Sequence, residues 1–274
     1  MSSLNKSDFE YVKNLVYQRT AIVLETGKEY LVESRLAPLM RQERFASFEE
    51  LIARLRAQPF NGLHWKVVES MTTNETSFFR DGHPFEALKK TVLPDLLTKR
   101  ENERELHIWC AASSSGQEPY TVAMVLRENF PMLAGWTIQF VASDISNEML
   151  ARSREGRYSQ LEVNRGLPAA LLVKYFQKQG TGWQIKEELR RMIEFQQVNL
   201  VEAWPAWPPM DIILMRNVMI YFGVETKKAI LGKIRRLLRP DGYLFLGGAE
   251  TTLNLDDAFE RIEFGKSGCY RLRS

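Results

Sequence analysis

The chain has 274 residues, 45% hydrophobic and 26% charged, which excludes a disordered or collagen-like polymer and suits about two globular domains. Thirty-seven Lys and Arg against 34 Asp and Glu leave a net charge of +3, too small a bias to make nucleic acid or an anionic membrane the expected main partner. The two cysteines, Cys110 and Cys269, lie far apart without a CxxC pair, and His64, His83 and His107 share no ligand spacing, so neither a disulfide framework nor a metal site is expected.

The N-terminus, MSSLNKSDFE, lacks the apolar stretch of a signal peptide, and no window approaches the ~18 apolar residues of a membrane span. A cytoplasmic protein is the default expectation. Residues 1–72 read as helices only. Ser7 with Glu10 reads as a capping box opening a helix with Phe9, Val12, Leu15 and Val16 at helical spacing. A second helix is predicted over 28–44, with Leu31, Leu36, Leu39 and Met40. Ser47 with Glu50 reads as another box, opening a short helix through Leu51, Ile52 and Leu55. Asn61-Gly62 punctuates, and 64–71 reads as a fourth helix. Residues 73–100 read as a linker and a connecting helix that starts at Pro84 and runs through Phe85, Leu88 and Val92.

After Arg104 the pattern changes. Strands are predicted over 106–111, 137–143, 211–216 and 243–247, alternating with helices over 118–130, 147–154 and 225–238. Such alternation indicates a doubly wound, mostly parallel sheet, here spanning 101–274. Pro240-Asp241-Gly242 reads as a turn before the last parallel strand. Segments 259–264 and 268–273, joined by Gly265-Lys266-Ser267, read as an antiparallel hairpin closing the sheet edge. Residues 157–197 break the alternation and read as a small β insertion, with strands at 183–185 and 193–197 around a charged middle.

The loop AASSSGQEP after the first strand sits where open α/β sheets bind ligands. It lacks the G-x-G-x-x-G fingerprint, and Glu118 at the helix start would repel phosphate. A ligand without phosphates and with a positive charge, such as S-adenosylmethionine, suits it; a plain tight turn with Glu118 as a helix-dipole partner is the other reading. Asp144 ends the second strand, where an acid accepts from ribose hydroxyls, or alternatively caps the next helix. TTNETSFFRD at 72–81 places Arg80 at the domain junction, and Arg216-Asn217 followed by Tyr221-Phe222 adds polar groups at the same sheet edge.

TTNETSFFRD, WCAASSSGQEPY, ASDIS, VNL, RNVMIYF and PDGYLFLGGAE occur in this order, and together they resemble the bacterial chemotaxis receptor methyltransferases, the CheR family. The likeness covers essentially the whole chain. It implies a class I S-adenosylmethionine-dependent methyltransferase fold with a small N-terminal all-α domain and a β insertion. It further implies methyl transfer from S-adenosylmethionine to glutamate side chains of methyl-accepting chemoreceptors, leaving S-adenosylhomocysteine and γ-glutamyl methyl esters. Carried over by motif, Asn74, Thr76 and Arg80 line the cofactor site, with Glu118 and Asp144 following and Asp144 on the ribose. Asn199-Leu200 would meet the adenine end and Arg216-Asn217 the methionine end, and Arg80 and Tyr221 stand nearest the reacting methyl.

The resemblance also implies a bacterial, cytoplasmic monomer recruited to membrane receptor arrays by the receptors' cytoplasmic domains, through Arg35, Arg41 and Arg44 of the second helix. A solvated face laced with Glu29, Glu33 and Glu43 is the alternative for that helix. Three departures from the family pattern stand out. Gln117 replaces a frequent acid, and GGAE replaces the common GHSE. The loop after Tyr175-Phe176 is shorter than in relatives that dock on a receptor's C-terminal pentapeptide, so action without that tether is expected. The rival readings are a small-molecule carboxyl methyltransferase, which has no need of this helical domain, and a non-catalytic cofactor-binding adaptor, which would have no need of Arg80, Asp144 and Tyr221.

Overall fold

The structure is a computed structural model in which residues 4–264 and 267–273 are described. The chain packs as two compact units, one of residues 1–73 with 221–226 and one of 74–220 with 227–274.

In the smaller unit, helix α1 (Lys6–Thr20) is capped by Asn5, whose Oδ1 accepts the Asp8 N–H at 2.9 Å. The expected cap, Ser7, lies inside the helix instead, and its carbonyl and hydroxyl take the Arg56 guanidinium at 3.2 and 3.3 Å. Asn satisfies the first-turn donors as well as Ser, and it stands two positions earlier, so the helix starts there. Helix α2 (Glu29–Glu43) ends at Arg44, whose φ of 61° stops the helix. Helix α3 (Phe48–Arg56) starts at Ser47, but Glu50 accepts the N–H of Ala46 and not that of Ser47, so only half of the expected box forms. Helix α4 (Gly62–Ser70) is capped by Asn61, with His64 Nδ1 accepting the Asn61 N–H at 3.2 Å. His64 Nε2 then carries the proton and donates to the Leu55 carbonyl at 3.0 Å, giving this buried histidine a structural role. Phe9, Val12, Leu36, Met40, Leu51 and Val68, at three- and four-residue spacing, meet in one core.

The segment 221–226 belongs to this unit despite its distance in sequence. The Val23 N–H donates to the Tyr221 carbonyl at 3.0 Å, and Ile22 bridges Phe222 in antiparallel fashion.

The larger unit begins with α5 (His83–Ala87), one π turn (Leu88–Val92) and α6 (Leu93–Lys99) in continuous succession. Pro94 has no N–H for the regular ladder, and just before it the Leu93 N–H reaches back five residues to the Leu88 carbonyl. The strands are β1 (Glu105–Ala111), β2 (Thr137–Asp144), β3 (Arg157–Ser159), β4 (Phe176–Gln179), β5 (Gly182–Ile185), β6 (Glu194–Gln197), β7 (Met210–Met215), β8 (Leu238–Leu246), β9 (Phe259–Phe264) and β10 (Ser267–Leu272). Seven form the main sheet in the order β6-β2-β1-β7-β8-β10-β9, parallel as far as β8 and antiparallel beyond. Helices α7 (Gln117–Asn129), α8 (Asn147–Glu155) and α12 (Val224–Leu237) make the crossovers. β1 and β7 are buried along nearly their whole length, as parallel strands covered on both faces must be.

The insertion is a three-stranded sheet, β3-β5-β4, with the short helices α9 (Gln160–Asn164) and α10 (Ala169–Tyr175). The predicted strand at 193–197 is not part of it. After the short α11 (Glu187–Arg190), β6 returns to the main sheet and pairs in parallel with β2 through Ala142 and Phe195. Its brevity hid its partner, because four residues carry no period that separates an edge strand from an insertion strand. Pro240-Asp241-Gly242 likewise does not precede a strand. It forms an irregularity inside β8, where Met210 pairs with Leu238 and Ile212 with Tyr243. A Cβ at Gly242 would lie 3.0 Å from the Asp211 carbonyl oxygen. In the hairpin, Gly265 and Lys266 lie outside the described residues, and Ser267 opens β10.

Candidate active site

The strand order reverses at β1, which has β2 on one side and β7 on the other. Ligands of doubly wound sheets bind beyond the carboxyl ends of the strands at such a reversal. The loop that leaves β1 is sharply wound, with positive φ at Ala112 (53°), Ser114 (50°) and Gly116 (93°). At Ala112 and Ser114 this conformation costs on the order of 1 kcal/mol each, so neighbours must hold it. The Ser113 N–H donates to the Ser143 carbonyl and the Ser114 N–H to Asp144 Oδ2, both at 2.8 Å. Ser114 Oγ donates to the Asn74 carbonyl at 2.7 Å, and Tyr158 to the Ser115 carbonyl at 2.7 Å. Only glycine fits position 116, where a Cβ would lie 2.9 Å from Ser153 Oγ.

Asp144 therefore organises the loop through its carboxylate. Its Oδ1 accepts the Ser146 N–H at 2.9 Å while Oδ2 holds Ser114. The cap of α8 is Ser146, whose hydroxyl accepts the Met149 N–H, so the alternative of Asp144 as that cap does not hold. Val198 donates to the Asp144 carbonyl at 3.1 Å, which brings the start of the Asn199-Leu200 turn to the same sheet end. Asn199 is joined to Glu202 at 3.0 Å, and the Leu200 carbonyl accepts from Lys233 at 3.0 Å and from Trp204 at 3.2 Å. Burial pulls the Lys233 pKa down.

Arg216, one residue past β7, is the charged centre of the site, with 1% side-chain exposure. Its Nη1 donates to Glu118 at 2.5 Å, and its Nη2 to Asp81 at 2.7 Å and to the Arg80 carbonyl at 3.0 Å. It also lies over the Phe85 ring, 5.4 Å from the centroid. Burial pushes the Glu118 carboxyl up, and the Arg216 charge partly offsets this. The Arg80 turn is strained in the same manner as the loop after β1, with positive φ at Phe79 (49°), Asp81 (67°) and Gly82 (61°). It is pinned by the Phe79 N–H donating to Thr121 Oγ1 at 3.1 Å. The Arg80 guanidinium is half-buried and donates to the Glu75 carbonyl at 2.8 Å, and Thr76 is half-buried in the same loop.

Asn217 (φ 58°) follows Arg216, and it is held by Glu250, the last residue of the GGAE motif, to which the sequence assigned no role. Glu250 Oε2 accepts the N–H groups of Asn217 (2.8 Å) and Gly247 (2.6 Å), while Oε1 accepts those of Val218 (2.8 Å) and Ile220 (3.3 Å). One carboxylate thus clamps the whole turn after β7. The available signal was the acid that follows Gly247-Gly248 at a strand end. Asp81, also unassigned from sequence, completes the Arg216 cluster.

The expected site residues thus gather in part. Asn74, Arg80, Glu118, Asp144, Arg216 and Asn217 share the carboxyl edge of β1, β2 and β7. Asn199 and Leu200 sit past β6 on the same edge, and Tyr221 packs with the helical unit. Of the three basic residues of α2, Arg41 and Arg44 are exposed. Arg35 is half-buried and donates to the Met71 carbonyl (2.5 Å) and Thr73 Oγ1 (2.7 Å), and burial lowers its pKa.

The pattern described as "CheR methyltransferase, SAM binding domain" matches residues 74–267, and "CheR methyltransferase, all-alpha domain" matches residues 7–72. The chain belongs to the CheR methyltransferase family. Similar proteins include "Chemotaxis protein methyltransferase 1" of Pseudomonas aeruginosa, 41% identical over all of both chains. "Chemotaxis protein methyltransferase Cher2" of Pseudomonas putida is 40% identical over 99% of this chain and 100% of its own. The "Chemotaxis protein methyltransferase" of Salmonella typhimurium is 36% identical over 92% of this chain and 86% of its own.

S-adenosylmethionine is the cofactor of this CheR family member. The residues at the β1 edge fit it. Arg216 Nε is buried with no hydrogen-bond partner among the described residues, a donor suited to a carboxylate. The strained loop has only one glycine and is followed by Glu118, which suits a ligand without phosphates. Among the described residues, no group of three or more His, Cys, Asp or Glu could hold a metal ion, and no helix is long and apolar enough to cross a membrane.

Proposed function

We propose that this chain methylates glutamate side chains of chemoreceptors, forming methyl esters, and that it does so without a pentapeptide tether. The observation that carries the reading is the Arg216 cluster, which ties Glu118, Asp81 and the Arg80 turn together at the sheet edge. When bound, S-adenosylmethionine supplies a methyl group activated on a sulfonium. A substrate glutamate is already ionised at neutral pH, so the site has no need to remove a proton. The protein's work is to position the carboxylate and keep water away. Arg80 is assigned to hold the carboxylate by charge-assisted hydrogen bonds, without pairing it so tightly that its nucleophilicity is lost. Tyr221 is assigned to the same reacting group.

In this reading Asn74 and Thr76 line the cofactor site beside Glu118. Asp144 meets the ribose, Asn199 and Leu200 the adenine end, and Arg216 with Asn217 the methionine end. The chemotaxis names of relatives at 36–41% identity support the receptor as substrate. The exposed Arg41 and Arg44 are assigned to the acidic receptor surface, and Arg35 to the fold of the helical unit. The short turn between β4 and β5 supports independence from a pentapeptide.

The deciding assay is transfer of tritiated methyl from S-adenosylmethionine to membranes holding cognate receptors, with methanol released by alkali. Label stable to alkali would rule out an ester. Label released equally without receptors would point to a small-molecule carboxyl acceptor. Micromolar binding of a free pentapeptide in calorimetry would overturn the tether-free part alone.

A further inference from the structure

The loop after β1 carries three consecutive serines, and two of them are committed within the protein. Ser114 Oγ donates to the Asn74 carbonyl at 2.7 Å, and Ser115 Oγ to Gln117 Oε1 at 2.8 Å. Ser113 differs. It is 3% exposed and its N–H is bonded to the Ser143 carbonyl, yet its hydroxyl has no hydrogen-bond partner among the described residues. The loop's winding depends on the backbone of Ser113 and not on its side chain. Alanine would serve the fold equally well and would leave no polar atom unpaired.

A second buried donor in the same condition, Arg216 Nε, stands just past β7. β7 is the direct neighbour of β1, with Cys110 opposite Leu214. The two unpartnered donors therefore leave adjacent strands at the point where the sheet order reverses. Asp144 lies on the other side of β1, at the end of β2. With the ribose at Asp144 and the adenine toward β6, the cofactor's amino-acid end falls to the β1–β7 side. Its carboxylate can accept from a hydroxyl and a guanidinium together.

Resting on the cofactor placement above, we propose that the Ser113 hydroxyl is a binding contact to the amino-acid end of S-adenosylmethionine. The hydroxyl then has its partner only in the liganded protein. This gives opposite expectations for binding and for stability, which a merely structural serine would not.

The experiment compares wild type with Ser113→Ala by calorimetry with S-adenosylhomocysteine and with 5′-methylthioadenosine, which lacks the amino-acid end. Thermal unfolding of both proteins is measured without ligand. The expected result is about tenfold weaker binding of S-adenosylhomocysteine, or about 1.4 kcal/mol, with 5′-methylthioadenosine changed less than about twofold. The unliganded variant should unfold at the same temperature as wild type or higher. Unchanged S-adenosylhomocysteine affinity would overturn the contact, and equal weakening of both ligands would overturn its location. A clear fall in unfolding temperature of the unliganded variant would make Ser113 structural. If wild type itself fails to bind S-adenosylhomocysteine, the cofactor placement fails and this contact goes with it.

Discussion

Two buried arginines stand at opposite ends of β7 and are treated in opposite ways. Arg100 meets the amino-terminal end, with Nε donating to Asp211 at 2.8 Å and both terminal nitrogens gripping Asp241 at 2.9 and 2.6 Å. Asp211 is fully buried, and its other oxygen takes the His107 N–H at 2.8 Å. Hydrogen bonding to Arg100 lowers the Asp241 pKa, and the same bonds raise that of Arg100. Arg216 at the carboxyl end has as little exposure, yet its Nε lacks a partner among the described residues and its anchor Glu118 is held toward its protonated form by burial. The backbone around Arg216 is strained at Phe79, Asp81 and Asn217. At the amino-terminal end every Arg100 side-chain nitrogen is spent on a carboxylate, with the Arg239 guanidinium a further 3.5 Å from Asp211, whereas at the carboxyl end Arg216 Nε and the strained backbone are held in reserve for a ligand.

The sharpest way to break this contrast is Arg100→Met. It strips buried Asp211 of its nearer guanidinium, leaving only that of Arg239 at 3.5 Å, and should destabilise the fold by about 3 kcal/mol in urea unfolding. The folded fraction should bind S-adenosylhomocysteine as wild type does. A stability near wild type would mean that the amino-terminal network is ornamental.

Arg216→Lys should behave in the reverse sense. Lysine keeps the charge but cannot supply the fork that holds Glu118, Asp81 and the Arg80 carbonyl at once. Calorimetry should read at least about tenfold weaker S-adenosylhomocysteine binding, with a stability loss of only about 1 kcal/mol. A stability loss as large as that of Arg100→Met would erase the distinction between the two ends.

Glu118 sharpens the contrast through pH. Its folded pKa lies above the ordinary 4.5, so the native state holds this proton longer than the unfolded chain does. The resulting stabilisation is complete below the unfolded value and is lost as pH rises through the folded one. The unfolding free energy of wild type relative to Glu118→Gln should therefore fall as pH rises from about 4 toward neutrality. A relative stability that rises over that window would reverse the assignment.

The smallest expected effect lies in the helical unit. Arg41→Glu should slow methylation of intact receptor a few-fold at low salt, with the deficit shrinking as salt screens the encounter. S-adenosylhomocysteine affinity should not move. Arg35 is a poor choice for this test, because reversing it also breaks its bonds to Met71 and Thr73.

The contrast between the ends of β7 was half legible in the sequence. Alternating apolar runs and helices marked the parallel sheet, and small residues after β1 marked its ligand edge. Arg216 was visible as a charge ending an apolar strand. The network around Arg100 was not, because Arg100, Asp211 and Asp241 are distant in sequence and each looks like an ordinary surface charge. Glu250 escaped for a related reason: it acts on four backbone N–H groups, and backbone partners leave no mark on residue identity. The first helix cap was misplaced because Asn5 and Ser7 are both competent caps, and only the packing of Arg56 against Ser7 separates them.

The placement of residues 221–226 bears on how the polypeptide is made. A ribosome releases the four N-terminal helices long before it reaches Tyr221, so their core can assemble early. The Val23 N–H and the Ile22 edge must wait for a segment that emerges only after β7 has been synthesised. The helical unit is therefore the first to begin folding and among the last to finish. A fragment ending near residue 73 is an incomplete version of it, because that fragment lacks the 221–226 segment that bridges its Ile22–Val23 edge.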